Sequence, residues 1–307
     1  MEFIKNLKMI ILIDFKFKKE IVERNKMQIG KYKIHTIESG DLLLDGGAMY
    51  GVVPKPLWER SSTADEKNRI NLRTRHMLLI SEEKKILIDT GAGKNWNEKF
   101  EKIYGIDYST HDMFPALAKV GVKPDEITDV ILTHLHFDHI GGAVVFENGK
   151  PIPAFPNATY HVQQKQYDWA LNPSDRDRAS YFQERYVTLA EEGILKQYNG
   201  DFQFDDNINL VVVNGHTPSQ QLVKVSDTSN TIFYCGDLIP LSSHISPPYI
   251  MGYDLNPLET LKEKQRILPQ AVEENWHLFF EHDPEIAAGT IIKGGHGFTF
   301  DKIFEVI

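Results

Sequence analysis

From Gly30 onward, short apolar runs are separated by turn-forming residues, a pattern that predicts a framework of strands with helices between them. Lys31-Tyr32-Lys33-Ile34-His35-Thr36-Ile37 alternates polar and apolar positions, the period of a half-buried strand. Residues Arg75–Ile80 and Lys85–Ile88 read as a hairpin around Ser81-Glu82-Glu83-Lys84. A helix is expected from Asp112 to Val120, with Gly121 as its stop and Pro124 beyond, and a strand from Ile127 to Thr133. The second half follows without an obvious linker. It reads as strand Ala158–Val162, helix Gln163–Leu171, a helical segment Tyr181–Glu192, and strands Leu210–Val213, Thr231–Cys235 and His277–Phe280. Asn256-Pro257-Leu258-Glu259 has the signature of a helix start, with Asn as N-cap, Pro at the first position and Glu placed to complete a capping box. That helix runs towards Asn275 and should be disturbed at Pro269.

Composition changes this picture little. The 307 residues are 41% hydrophobic and 25% charged, ordinary values for a folded chain with ample core material. The formal net charge of −9 supplies no basic footprint for phosphates, so nucleic acid is not an expected partner. A single cysteine, Cys235, excludes an internal disulfide and a cysteine-rich zinc ribbon, and suits a cytoplasmic location. Met9-Ile10-Ile11-Leu12-Ile13 is too short to span a membrane, and charged residues follow it where a signal peptide would have a cleavage site. Met27 is an alternative start; residues 1–26 read as an extension and 27–307 as a single domain.

The chemistry concentrates after Val130-Ile131-Leu132, in Thr133-His134-Leu135-His136-Phe137-Asp138-His139 followed by Ile140-Gly141-Gly142. Imidazole and carboxylate together suit zinc and other first-row metals. On an extended segment His134 and His136 point the same way, with Asp138 and His139 one turn later. Asp89, His134, His136, His216, Asp237 and His282 each lie at or just past the carboxyl end of an apolar strand, so they converge on one rim of a sheet. Long gaps between the later ligands favour a preorganised catalytic site over a structural zinc clip. By contrast, His35, His76, His111, His161, His277 and His296 read as packing or surface histidines, and Cys235 as a small buried side chain.

These motifs resemble the metallo-β-lactamase superfamily, whose His-x-His-x-Asp-His stretch is matched by His134, His136, Asp138 and His139. Its later ligands match His216, Asp237 and His282, and its supporting early aspartate matches Asp89. The resemblance implies an α/β fold of αββα sandwich type: two mixed β-sheets packed face to face with helices outside. It also implies two Zn2+ ions, with Fe, Mn or Co as other first-row possibilities. His134, His136 and His216 would hold one and Asp138, His139 and His282 the other, with Asp237 bridging. Such ions sit about 3.5–4 Å apart and bring bound water to a pKa of about 7, so hydrolysis needs no covalent nucleophile. Asp138 would orient that water and later help protonate the leaving group.

Within the superfamily, Asp237 disfavours the branch that keeps cysteine there, and His136 disfavours the flavin-linked di-iron reductases. A thioester hydrolase, a phosphotriester hydrolase and an iron-dependent redox enzyme remain as alternatives. The loop Asp45–Trp58, Asp65–Ile70 and Met251-Gly252-Tyr253-Asp254 resemble the quorum-quenching lactonase-like branch, whose members open N-acyl homoserine lactones. That points to a small-molecule ester or lactone as substrate, and to a homodimer, as related enzymes often form. By composition the loop is equally a segment packed on its own core or one wall of a pocket; as a wall, Met49, Tyr50, Val52 and Trp58 would touch substrate. One position departs from the branch. Pro240 stands where lactonases carry a carbonyl-polarising tyrosine; His244 is the catalytic candidate to replace it, ahead of Tyr249 and Tyr253.

Overall fold

Period-two alternation along the strands resolves into two buried faces on each of two sheets. The computed structural model describes residues 23–25, 27–295 and 297–306, so the expectations for residues 1–22, Lys26 and His296 lie outside the described residues. Ile34, Met77, Leu79, Ile86, Ile88 and Ile131 of one sheet meet Leu210, Val223, Ile232, Tyr234 and Phe279 of the other in a common core. Their neighbours Leu78, Leu87 and Val130 face away, packing with Met113 and Leu117 of the helix Met113–Lys119. On the opposite side Val213, Leu222, Phe233 and Leu278 are covered by Ile267, Leu268 and Ala271 of the helix Pro257–Glu273. The layers are therefore helix, sheet, sheet, helix: the αββα sandwich. Each fully buried Ile, Leu or Phe in these layers contributes roughly 1.5–3 kcal/mol, which makes the central core the main stabiliser.

The seven-stranded sheet has the order Leu195–Tyr198, Thr159–Gln163, Asp129–Ile131, Lys85–Ile88, Arg69–Ile80, Tyr32–Asp45, Gln28–Ile29. Lys85–Ile88, Asp129–Ile131, Thr159–Gln163 and Leu195–Tyr198 run parallel, and the rest pair antiparallel. In the eight-stranded sheet Thr231–Tyr234 and His277–Phe279 are parallel neighbours. Glu23–Asn25 adds to its edge beside Phe304–Val306. Among the described residues no helix is long and apolar enough to cross a membrane.

Several elements differ from expectation, each for an identifiable reason. The loop Asp45–Trp58 contains two short helices, Gly46–Tyr50 and Lys55–Trp58, the first capped by Asp45 Oδ1 accepting from the Ala48 amide at 2.7 Å. The helix expected over Tyr181–Glu192 is broken into a 3₁₀ turn, Gln183–Arg185, and the short helix Val187–Glu191. The break turns Arg185 inward, where its guanidinium donates to Gly141 O and Lys94 O, each at 2.8 Å, and stacks 4.1 Å from the Trp96 ring. Pro269 does not interrupt Pro257–Glu273; it sits on the exposed side of the helix, as does Gln265, whose carbonyl loses its helical donor. Only half of the expected capping box forms: Asn256 Oδ1 accepts from the Glu259 amide at 3.3 Å, while Glu259 itself takes Lys262.

Two loops needed for the site pack backbone against backbone. Gly93 has φ +60°, and a Cβ there would lie 2.2 Å from Gly141 O; one on Gly141 would lie 1.9 Å from Ala92 O. Only glycine permits this approach. It lets the amide of Thr90 reach His139 O at 2.8 Å and that of Gly142 reach Gly91 O at 3.0 Å. The strand end at Asp89 is thereby locked to the helix carrying Asp138 and His139.

Candidate metal centre

Each ligand candidate emerges where a strand stops. His134 and His136 follow Asp129–Ile131, and Asp138 and His139 sit on the single helical turn Phe137–Ile140. His216 follows Ile208–Val213, Asp237 lies in a 3₁₀ turn after Thr231–Tyr234, and His282 follows His277–Phe279. The first four come from the seven-stranded sheet and the last three from the eight-stranded one, so the group forms at the rim between the sheets. Among the described residues, His134, His136, His216 and Asp237 bring ligand atoms within 4.8 Å of one another, as do Asp138, His139 and His282.

The donor atoms fit a pair of cations. His134 Nε2 and His216 Nε2 each lie 3.0 Å from His136 Nδ1, and His282 Nε2 lies 3.2 Å from His139 Nε2. Nitrogens held about 2.05 Å from one tetrahedral ion would stand about 3.3 Å apart, so this crowding of ring nitrogens is what an ion would organise. Asp237, a member of the first group, also touches the second: Oδ2 is 3.1 Å from His216 Nε2 and Oδ1 is 3.2 Å from His282 Nε2. Asp237 Oδ1 is buried without a hydrogen-bond partner among the described residues. Burial holds His134 and His136 well below the usual histidine range. Against burial, the Asp237 and Asp254 carboxylates push His216 up to about 10, and Asp237 and Glu281 push His282 up to about 9. The imidazoles of His139, His216 and His282 hold Asp237 well below the carboxylate range despite its burial.

The far side of each ring is tied down. The His282 Nδ1 hydrogen goes to Arg73 O at 2.9 Å, which turns Nε2 towards the centre. His139 Nδ1 is 3.1 Å from both Asp89 Oδ2 and Glu281 Oε2. Asp89, at φ +56°, also accepts from the Thr133 amide at 2.7 Å and the Thr133 hydroxyl at 2.6 Å. That costly backbone conformation is held by the same contacts that fix the start of the His-x-His segment. Sequence reasoning missed Asp254 and Glu281. Asp254 Oδ1 accepts from His216 Nδ1 at 2.9 Å while Oδ2 takes the Thr260 hydroxyl at 2.7 Å. Burial pushes the Glu281 carboxyl up to about 8. Both acids lie in stretches already singled out, and their spacing alone carries no sign of which ring they reach. Asp254→Asn is expected to weaken metal binding by about 10–100-fold, since a carboxylate on the distal nitrogen raises ligand basicity; competition with a chromophoric chelator measures it.

A cavity of about 230 Å³ opens over the centre, lined by His136, Asp138, His216, Asp237 and His282 together with Leu44, Met49, Tyr104, Phe137, Arg176, Met251 and Tyr253. Of the four loop residues expected to touch substrate, Met49 lines it. Tyr50 and Trp58 do not: their rings are stacked 5.2 Å apart in a buried apolar cluster behind the wall. Val52 does not either, being 92% exposed at the loop tip. His244 is likewise withdrawn from the cavity. Its ring stacks on Tyr50 at 4.9 Å and its Nε2 donates to Met49 O at 2.8 Å, so it supports the wall from behind. Tyr249 packs edge-on against Tyr50, and of the lower-ranked candidates Tyr253 alone reaches the cavity.

Burial lowers His244 to about 3, below the ordinary 6.5 of the unfolded chain. The unfolded state therefore takes up this proton first, and the stability tied to neutral His244 is lost as pH falls from about 6.5 towards 3. The slope is up to about 1.4 kcal/mol per pH unit. His244→Gln retains a donor for Met49 O, and chemical denaturation across pH 4–7 should show a shallower acid slope for this variant.

The sequence matches the family model of the metallo-beta-lactamase superfamily over residues 71–289. It is 25% identical over 274 residues to an N-acyl homoserine lactonase of Bacillus cereus, covering 84% of this chain and 95% of that protein. A "probable metal-dependent hydrolase" from Staphylococcus aureus superposes with a TM-score of 0.82 at 28% identity, covering 91% of this chain and 98% of that one. An N-acyl homoserine lactone hydrolase, solved with its product N-hexanoyl-L-homoserine bound at the catalytic metal centre, superposes at 0.63 with 26% identity. That match covers 84% of this chain and 95% of the other.

Proposed function

This chain belongs to the metallo-beta-lactamase superfamily, and from that premise we propose that it is a binuclear hydrolase that opens lactone rings of the N-acyl homoserine lactone type. The observation that carries this reading is Asp237, whose two oxygens reach His216 of one cluster and His282 of the other. His134, His136 and His216 would hold one cation and Asp138, His139 and His282 the second, with Asp237 within reach of both. Zinc suits this donor set, as do Fe, Mn and Co. When bound, such a pair supplies a water of pKa about 7 and a Lewis acid for the ester carbonyl.

The remaining work falls to the chain. Asp138 lines the cavity, where it can orient the attacking water and return a proton to the departing ring oxygen. Burial raises the phenols of Tyr104 and Tyr253 above their usual range, keeping both protonated. Neither hydroxyl is engaged by another described residue, so either can donate to the substrate carbonyl in place of the group missing at Pro240. Leu44, Met49, Phe137 and Met251 offer apolar contact for an acyl chain. A volume of about 230 Å³ lies below the usual range of about 300–1,000 Å³ for ligand sites, which favours short chains.

A substrate panel on zinc-loaded protein tests the reading. Homoserine lactones with acyl chains of increasing length, γ- and δ-lactones, aryl esters and a phosphotriester are compared by kcat/KM. Short-chain homoserine lactones should lead the panel, and absence of turnover on every member would overturn the proposal.

A further inference from the structure

Arg176 stands at the lip of the metal cavity, and among the described residues its guanidinium has no acidic partner. One Nη2 hydrogen is taken by Gly252 O on the opposite lip. None of the ion pairs among the described residues includes Arg176, whereas Arg178, two positions on, pairs with Asp175. Of the two carboxylates adjacent in sequence, Asp175 is the one taken by Arg178, and Asp177, which also borders the cavity, is held by other donors. Its Oδ2 accepts from Trp169 Nε1 at 2.8 Å and its Oδ1 from the Ser174 hydroxyl at 2.6 Å. A guanidinium presents five N–H donors in a fixed fork, so several remain for a ligand. Because Gly252 O fixes the head group, little side-chain freedom is left to lose on binding.

The other cavity carboxylates, Asp138 and Asp237, lie among the imidazoles at the floor. Ester hydrolysis leaves its new carboxylate at that floor, so a carboxylate paired with Arg176 would be a second one, at the other end of the molecule. We infer that the substrate is an anionic ester or lactone, whose carboxylate is held at the cavity mouth by Arg176 while its carbonyl meets the metal centre. The inference rests on the hydrolase reading above and names its substrate class.

Two substrates of matched length test it: N-hexanoyl-homoserine lactone, ending in methyl, and N-adipoyl-homoserine lactone, ending in carboxylate. N-butanoyl and N-succinyl counterparts check a shorter reach. The zinc-loaded protein should favour the carboxylated member of at least one pair by about ten-fold in kcat/KM, mainly through KM. Added salt should shrink that preference, since the guanidinium is exposed. Arg176→Gln keeps a donor for Gly252 O but loses the charge, and the carboxylate preference should fall to near one; Arg176→Lys should restore part of it. The ratio between paired substrates is insensitive to any general loss from a loosened lip. Equal rates within both pairs, or a preference that survives in Arg176→Gln, would overturn the inference and leave the hydrolase reading standing. Failure to hydrolyse any of the four would overturn both.

Discussion

Asp237→Asn is expected to lower turnover by about 1,000-fold or more and to reduce bound metal below the wild-type content, with the fold retained. The carboxylate stands between two groups of imidazoles, and its neighbours hold it ionised despite its burial. An amide keeps the shape and one acceptor oxygen but loses the charge, and its nitrogen cannot serve as a ligand. One cluster would therefore lose its shared ligand, and the excess positive charge of the cations would be less well balanced. Catalysis that requires both ions in register would suffer more than affinity does. Elemental analysis of the purified variant beside a lactonase assay checks both parts. A variant that keeps two metals and near wild-type turnover would remove Asp237 from the role assigned to it.

The second large effect is expected at Asp138. Asp138→Asn should reduce kcat by about 100- to 10,000-fold, the range typical of a positioned acid–base group that also contacts a metal. Asp138 lies 4.0 Å from His139 Nε2 and 3.9 Å from His282 Nε2, at the cavity wall, so it is placed both to ligate and to face substrate. The side chain is borne by a helical turn whose backbone is locked to the Thr90–Gly93 loop, so the substitution should leave the melting temperature of the metal-loaded protein nearly unchanged. A variant that hydrolyses lactones at close to the wild-type rate would show that the proton is handled elsewhere, for instance by Tyr104 or Tyr253.

The primary structure made the centre legible because its ligands obey a local rule. Each follows an apolar strand, and strand ends of adjacent sheets share a rim, so His134, His136, His216, Asp237 and His282 could be grouped before their geometry was known. Period-two alternation likewise separated the faces of the sheets, as with Leu78 and Leu79, which pack into different layers. What escaped depends on side-chain direction and on contacts distant in sequence. Tyr50, Trp58 and Val52 belong to one sticky loop, yet two are stacked beneath it and one is at its tip. His244 looked free to act because its nearest partner, Met49 O, lies 195 positions away. Arg176 sits in a polar turn of no evident periodicity, and only the fold brings it opposite Gly252.

Metal titration of a chelator-treated sample asks whether two cations, shared through Asp237, drive ester hydrolysis. Zinc is added in steps while bound metal and N-hexanoyl-homoserine lactone turnover are measured on the same aliquots. Activity should be negligible without metal and should rise to completion only near two ions per chain. Full turnover at one ion per chain, or turnover that persists in the metal-free protein, would contradict this mechanism.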